Sequence, residues 1–237
     1  MTDWHAHVLP GVDDGPDTPE EAIEMLRMSA AQGVKKIFAT SHYYADEEEP
    51  QSFLARRNAA YRQLKEYYLS LEKKPPLPKV LTGAEVYYFP GMSTCEELRP
   101  LELTGTGVLL VEPPVASFTK GMLDEIEAIG RNLKLQPVLA HLDRYCRMLD
   151  DPALFDAVAE RDILVQVNAS FFLRREWREF ALRMLAEGKI HMMGSDCHNT
   201  EDRAPNLGPA ADVICENNLK KYLAKLEDME YNSFNPQ

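Results

Sequence analysis

The chain has 237 residues, 45% apolar and 27% charged, enough to bury the core of one large domain and too apolar for a disordered chain. Its 26 Lys and Arg against 38 Asp and Glu give a net charge of −12, which argues against a nucleic-acid partner. The most apolar stretches, such as residues 107–111 and 163–167, fall far short of the roughly 20 residues that span a bilayer, and the first residues lack the pattern of a signal peptide, so no membrane insertion and a cytoplasmic location are expected.

Short β-rich runs alternate with longer segments of helical periodicity. Thr2 to Val8 opens the series. Thr18-Pro19-Glu20-Glu21 then offers an N-cap, a proline at the first helical position and a capping-box Glu, with Gly33 placed as the helix stop. Strand Lys36 to Thr40 follows, then an amphipathic helix over Arg56 to Lys73, ended by Pro75-Pro76. Strands Val80 to Glu85 and Val108 to Glu112 come next. Helix Thr119 to Asn132, strand Gln136 to His141, helix Pro152 to Arg161, strand Ile163 to Asn168, helix Arg175 to Glu187, strand Ile190 to Ser195 and helix Asn206 to Lys225 complete the alternation. A frayed tail is expected from about Asp228 to Gln237. This order implies right-handed βαβ units and a parallel sheet. Seven strands without a dividing linker predict one α/β domain over residues 1–237, a closed or nearly closed (β/α) barrel, with a doubly wound open sheet as the alternative. Cys95, Cys146, Cys197 and Cys215 show neither CxxC spacing nor disulfide-scaffold density and read as reduced thiols.

Five of the six histidines stand where strands end, in company with carboxylates. His5 and His7, spaced i, i+2 on a strand, project from one face and can share a metal. Asp196 and His198 repeat that spacing after the last strand. His42, Glu85, Glu112 and His141 each end a strand, and Asp14 follows in the Asp13-Asp14 pair. In barrel enzymes that end of the strands faces the active site. So many imidazoles and carboxylates converging on one place would repel one another and desolvate at large cost unless cations held them. Nine candidate ligands exceed one mononuclear site, so two or three divalent ions are expected. The mixed imidazole and carboxylate set, free of thiolate, suits Mn, Fe or Zn. His191, out of register with the others, reads as core or surface.

The run Asp3-Trp4-His5-Ala6-His7-Val8-Leu9-Pro10-Gly11-Val12-Asp13-Asp14-Gly15-Pro16 resembles the opening signature of the PHP (polymerase and histidinol phosphatase) superfamily. Its LPGVDDGP part is similar to the bacterial protein-tyrosine phosphatases of capsular and exopolysaccharide gene clusters. Ala39-Thr40-Ser41-His42, Gly83-Ala84-Glu85-Val86-Tyr87, Ala140-His141-Leu142-Asp143-Arg144-Tyr145 and Gly194-Ser195-Asp196-Cys197-His198-Asn199 resemble later elements of that family, in order. The resemblance implies the PHP fold, a (β/α)7 distorted TIM-like barrel, with a trinuclear and usually manganese-dependent site. It implies His5, His7, Glu85 and Asp196 on one ion, Glu85, Glu112 and His141 on a second, and Asp14, His42 and His198 on a third. The implied partner is the phosphotyrosine tail of a bacterial tyrosine kinase that controls polysaccharide export.

Clustered divalent ions generate hydroxide at neutral pH and neutralise phosphate oxygens, so phosphomonoester hydrolysis is the expected reaction. Arg144 and Arg203, each just past a ligand-bearing element, are placed to clamp the phosphate, the alternative being ion pairs with Asp143 and Asp202. Tyr43, Tyr44, Tyr87, Tyr88 and Phe89 are candidates to wall a pocket for an aromatic ring. Cys197 and Arg203 also fit C-x(5)-R, the spacing of cysteine-dependent phosphatases, but the intervening loop has no glycine and two carboxylates, which reads as accidental. Histidinol phosphate or another small phosphomonoester is the rival substrate.

Overall fold

The structure is a computed structural model that describes residues 1–114 and 118–227; the expected frayed tail lies outside the described residues. Nine strands and nine α-helices occur among the described residues, in the order β1 Thr2–Ala6, α1 Pro19–Ala31, β2 Lys36–Ala39, β3 His42–Tyr43, α2 Pro50–Ser70, β4 Lys79–Thr82, β5 Glu85–Tyr87, β6 Val108–Glu112, α3 Lys120–Leu133, β7 Gln136–Leu139, α4 Leu142–Met148, α5 Leu154–Ala159, β8 Leu164–Asn168, α6 Ser170–Leu173, α7 Arg178–Ala186, β9 Met192–Gly194, α8 Leu207–Glu216 and α9 Lys220–Glu227.

All strand pairs are parallel, in the orders β1-β2-β4 and β3-β5-β6-β7-β8-β9. The seven expected strands are present, one of them broken in the middle. The second expected strand, Lys36 to Thr40, is β2, and a short strand that was not expected, β3, follows it after Thr40-Ser41; the third splits into β4 and β5 at Gly83-Ala84. The two interruptions lie side by side, because Glu85 N donates to Thr40 O at 3.2 Å and to Ser41 O at 3.1 Å while His42 pairs with Glu85. The sheet curls until β1 meets β9: Asp196 N donates to His5 O at 2.8 Å and His7 N to Cys197 O at 2.9 Å. Only glycine fits at position 194, since an added Cβ would sit 2.4 Å from His5 Cβ. The chain therefore forms a (β/α)7 barrel rather than an open doubly wound sheet.

Inside the barrel the lower layer is apolar: Trp4, Phe38, Val108, Leu110, Val138 and Met192 are buried together, with Trp4 stacked on Phe38 at 5.0 Å. Trp4 Nε1 donates to Leu226 O at 2.8 Å, so α9 closes the amino end. The pairing of β1 with β2 shifts register between Asp3 and Ala6. Such a bulge re-aims side chains; here Trp4 joins the interior layer, and its neighbour His5 also reaches interior groups, Gln166 and Glu85.

The helices follow their local signals. Thr18 Oγ1 accepts from Glu21 N at 3.2 Å, a cap worth about 1 kcal/mol, and Gly33 ends the turn with φ +83°. The expected start of the second helix is corrected: it begins at Pro50, with proline at the first helical position, not at Arg56. Helices α4 and α6, seven and four residues long, are too short to show periodicity and were not expected. The last expected helix is two, α8 and α9, broken where Asn218 takes φ +63°. All four cysteines are free thiols, Cys146 and Cys197 buried, Cys95 half-buried and Cys215 exposed.

Candidate metal centre

The nine residues expected to cluster all reach the carboxyl end of the barrel. His5 lies in β1, His7 and Asp14 in the segment after it, His42 and Glu85 open β3 and β5, Glu112 ends β6, His141 follows β7, and Asp196 and His198 follow β9. His141 and Asp196 both take left-handed backbone, φ +33° and +52°, which non-glycine residues rarely adopt and which functional sites tend to hold. Three groups bring their ligand atoms within 4.8 Å of one another: His7, Asp14, His42 and His198; His5, His7 and Asp196; His42, Glu85 and Glu112. His141 joins through Glu85, its Nε2 2.7 Å from Oε1, and through Glu112 Oε1 at 3.4 Å.

Buried acceptors fix which imidazole nitrogen carries the proton. Asp13 Oδ2 lies 2.7 Å from His7 Nδ1. Gln166 Oε1, which already accepts from His141 N at 2.6 Å, lies 3.1 Å from His5 Nδ1. The backbone oxygen of Asp196 lies 3.0 Å from His198 Nδ1. Each acceptor holds a proton on Nδ1 and leaves the Nε2 lone pair aimed at the centre. The Nε2 atoms of His5 and His7 then face each other at 3.2 Å, with Glu85 Oε2 at 3.0 and 3.3 Å. His198 Nε2 is buried without a hydrogen-bond partner, 3.1 Å from Asp14 Oδ1. Lone pairs and carboxylate oxygens at such distances repel unless a cation or a proton sits among them. The donor set therefore fits divalent ions.

Protons are drawn to the same place. Burial pulls the His7 imidazole down, yet Asp13 and Glu85 raise it well above its usual range. His141 rises to about 9, because Glu112 and Glu85 outweigh burial. Burial would raise Glu85, but His5, His141 and His42 hold it well below the usual carboxylate range, and His5 and His141 do the same for Asp196. His198 falls to about 3, through burial and the nearby His7. Asp14 alone is open to solvent, its side chain 58% exposed.

The cavity above these groups measures about 470 Å³. Arg144 and Arg203 line it, but neither makes the expected alternative pair. Arg144 reaches Glu112 Oε1 at 3.3 Å and Asp196 Oδ2 at 2.8 Å, and Arg203 reaches Asp14 Oδ2 at 3.2 Å and Asp196 Oδ1 at 3.1 Å. Of the expected aromatic wall only Tyr44 lines the cavity, 5.6 Å from the His42 ring and 5.5 Å from Tyr87. Tyr43 is buried against Phe53, and Tyr88 donates to Glu125. Cys197 is fully buried, and burial pushes its thiol far up, so it is no thiolate nucleophile.

Sequence reasoning missed three supporting groups. Asp13 holds both His7 Nδ1 and, at 3.0 Å, His42 N. Gln166 orients His5 and His141. Asn168 donates to Asp196 Oδ2 at 2.8 Å. The signal for the last two was present: alternate positions of an otherwise apolar buried strand are polar, and burying an amide is unfavourable without a partner.

The chain is similar to known proteins in sequence and in fold. The tyrosine-protein phosphatase CpsB of Streptococcus agalactiae is 27% identical over 225 residues, 91% of this chain and 90% of that protein. The tyrosine-protein phosphatase YwqE of Bacillus subtilis is 27% identical over 211 residues, 86% of this chain and 79% of that protein. Among solved structures, those of YwqE from Bacillus subtilis and CpsB from Streptococcus pneumoniae, described as metal-dependent tyrosine phosphatases, match with TM-score 0.82 at 23% identity, covering 100% of this chain and 97% of the solved one. A family model described as "Capsular polysaccharide synthesis, CpsB/CapC" matches residues 1–232, and the chain belongs to that family.

Proposed function

We propose that the chain is a metal-dependent protein-tyrosine phosphatase, with His5, His7, Asp14, His42, Glu85, Glu112, His141, Asp196 and His198 holding two or three divalent ions, manganese first among them. The observation that carries this reading is the pair of Nε2 atoms of His5 and His7 facing each other at 3.2 Å beside Glu85, an arrangement that calls for a cation. Ions held there supply hydroxide at neutral pH and positive charge for the phosphate oxygens.

The protein's own groups do the rest. Asp13, Gln166 and the Asp196 carbonyl keep three imidazoles in the ligating tautomer. Arg144 and Arg203 border the cavity and can turn from their carboxylates to the equatorial phosphate oxygens, where planar guanidiniums bind in bidentate fashion. Tyr44 offers an aromatic surface for the leaving group, and burial among Glu112, Glu85 and Asp14 keeps its phenol protonated. A tyrosine leaves as a phenolate with pKa near 10, so little help from an acid is required. The names of the relatives support phosphotyrosine as substrate, and the family's description supports a substrate in capsular polysaccharide synthesis, for which the phosphotyrosine tail of a bacterial tyrosine kinase is the source proposed here. A cytoplasmic location accords with the absence, among the described residues, of any helix long and apolar enough to cross a membrane.

The test is kinetic. Protein reconstituted with manganese should show a larger kcat/KM for a phosphotyrosine peptide than for the matched phosphoserine peptide and for histidinol phosphate, with metal analysis giving two or three ions per chain. A preference for histidinol phosphate overturns the substrate assignment, and one ion or fewer overturns the multinuclear one.

A further inference from the structure

We propose that the side of the cavity built by α4 and α6 is a second anion subsite, in which Arg147 and Arg174 hold a carboxylate or phosphate on the residue next to the scissile phosphotyrosine. The proposal rests on the phosphatase reading above. Four arginines line the cavity, and they fall into two pairs. Arg144 and Arg203 each rest on two carboxylates of the metal centre. Arg147 pairs with one carboxylate among the described residues, Asp143, at 3.4 Å, and its Nε is buried without a hydrogen-bond partner. Arg174 is exposed; its backbone N–H closes α6 on Ser170 O, and its side chain makes no ion pair among the described residues.

A cavity cation with no carboxylate partner, Arg174, together with a second, Arg147, that shares only one, is unusual in a chain of net charge −12. Such a chain repels an anionic peptide at long range, so capture depends on local positive charge. A guanidinium fork matches the geometry of a carboxylate or a phosphate. The cavity is as large as typical small-ligand sites, leaving room beside the reacting phosphate for a neighbouring group. Ser170, at the start of α6, also lines the cavity and adds a hydroxyl donor.

The experiment measures kcat/KM on three phosphotyrosine peptides that differ only in the adjacent residue: Ala, Glu or a second phosphotyrosine. In the manganese-loaded wild type, the anionic flanks should exceed Ala by about threefold to tenfold, through KM, and the advantage should shrink as salt rises. The Glu and phosphotyrosine arms report which anion the subsite takes. Arg174→Ala should bring the ratio near one, Arg174→Glu should invert it, and Arg174→Lys should retain part of it. Because the readout is a ratio, a loss of turnover common to all three peptides counts against the subsite. Arg147→Ala would strand the buried Asp143 without its cation, so the exposed Arg174 decides. A wild-type ratio near one, or an unchanged ratio in Arg174→Glu, overturns the subsite alone. Failure to hydrolyse any phosphotyrosine peptide overturns the phosphatase reading and the subsite with it.

Discussion

At the carboxyl ends of the strands five imidazoles stand within reach of five carboxylates, whereas the sixth, His191, lies at the opposite end of the barrel and accepts one hydrogen bond, from Val165 N at 3.1 Å. The two ends share the same strands. On β6, Leu110 packs in the apolar interior layer and Glu112, two residues on, faces the candidate metal centre. What separates the two fates of histidine is what else the strands deliver at that height. Beside carboxylates, imidazoles such as His7 and His141 attract positive charge. Away from that cluster, burial lowers the His191 pKa and favours its neutral form.

If the carboxyl end is organised by cations, its bridging carboxylate is the most damaging place to break it. Glu85 lies within 3.3 Å of His5, His7, His42 and His141. Glu85→Gln removes the anionic charge while keeping the shape, and should lower kcat by at least a hundredfold to a thousandfold with little change in the circular-dichroism spectrum. Wild-type turnover with metals in place would show that Glu85 bridges nothing.

Next in size are the arginines of the rim. Arg144→Ala and Arg203→Ala should each cost about 2 to 4 kcal/mol in kcat/KM, the usual loss for a charged donor to developing charge. Metal content should hold steady. A loss of metal in step with activity would mean that these guanidiniums serve only to position Asp196, Glu112 and Asp14.

A smaller effect belongs to the groups behind the ligands. Asp13→Asn can no longer fix the proton on His7 Nδ1 as a carboxylate does, and metal affinity or activity should drop about tenfold to a hundredfold. A metal titration checks it directly. Equal affinity in the variant would place Asp13 among the structural residues of the loop, through its bond to Gly15 N at 3.1 Å.

This gradation also marks what a sequence can disclose. His5, His7, His42, Glu85, Glu112, His141, Asp196 and His198 were legible because a polar group at the end of an apolar strand is a local anomaly. Gln166 and Asn168 stood out as polar residues in an apolar strand, but their roles were not legible, because each acts on a partner set by the closure of the barrel: Gln166 touches His5 across 161 residues of chain. The extra strand β3 and the break in the third strand escaped for the same reason, since the interruptions at Thr40-Ser41 and Gly83-Ala84 follow from their mutual register and not from a local breaker in both. Helix α2 is the opposite lesson, for Pro50 carried a start signal that the apolar periodicity from Arg56 onward overshadowed.

The smallest effect tests the amino end itself. Burial lowers the His191 pKa, so this imidazole stays neutral in the folded protein at a pH where the unfolded chain, with pKa about 6.5, takes up a proton. The unfolded state then binds more protons, and the stability contributed by a neutral His191 is lost as the pH falls below about 6.5 toward the lowered folded-state value. His191→Gln keeps an acceptor for Val165 N without the titration. At pH 7.5 it should melt slightly below wild type, by about 1 kcal/mol of poorer hydrogen bonding, and the gap should narrow by pH 5.5. Acid loss of metal acts on both proteins alike, so the difference between the two melting curves isolates the residue. Parallel pH profiles would mean that His191 titrates as it does in water, and that the contrast between the two ends of the barrel rests on the carboxyl end alone.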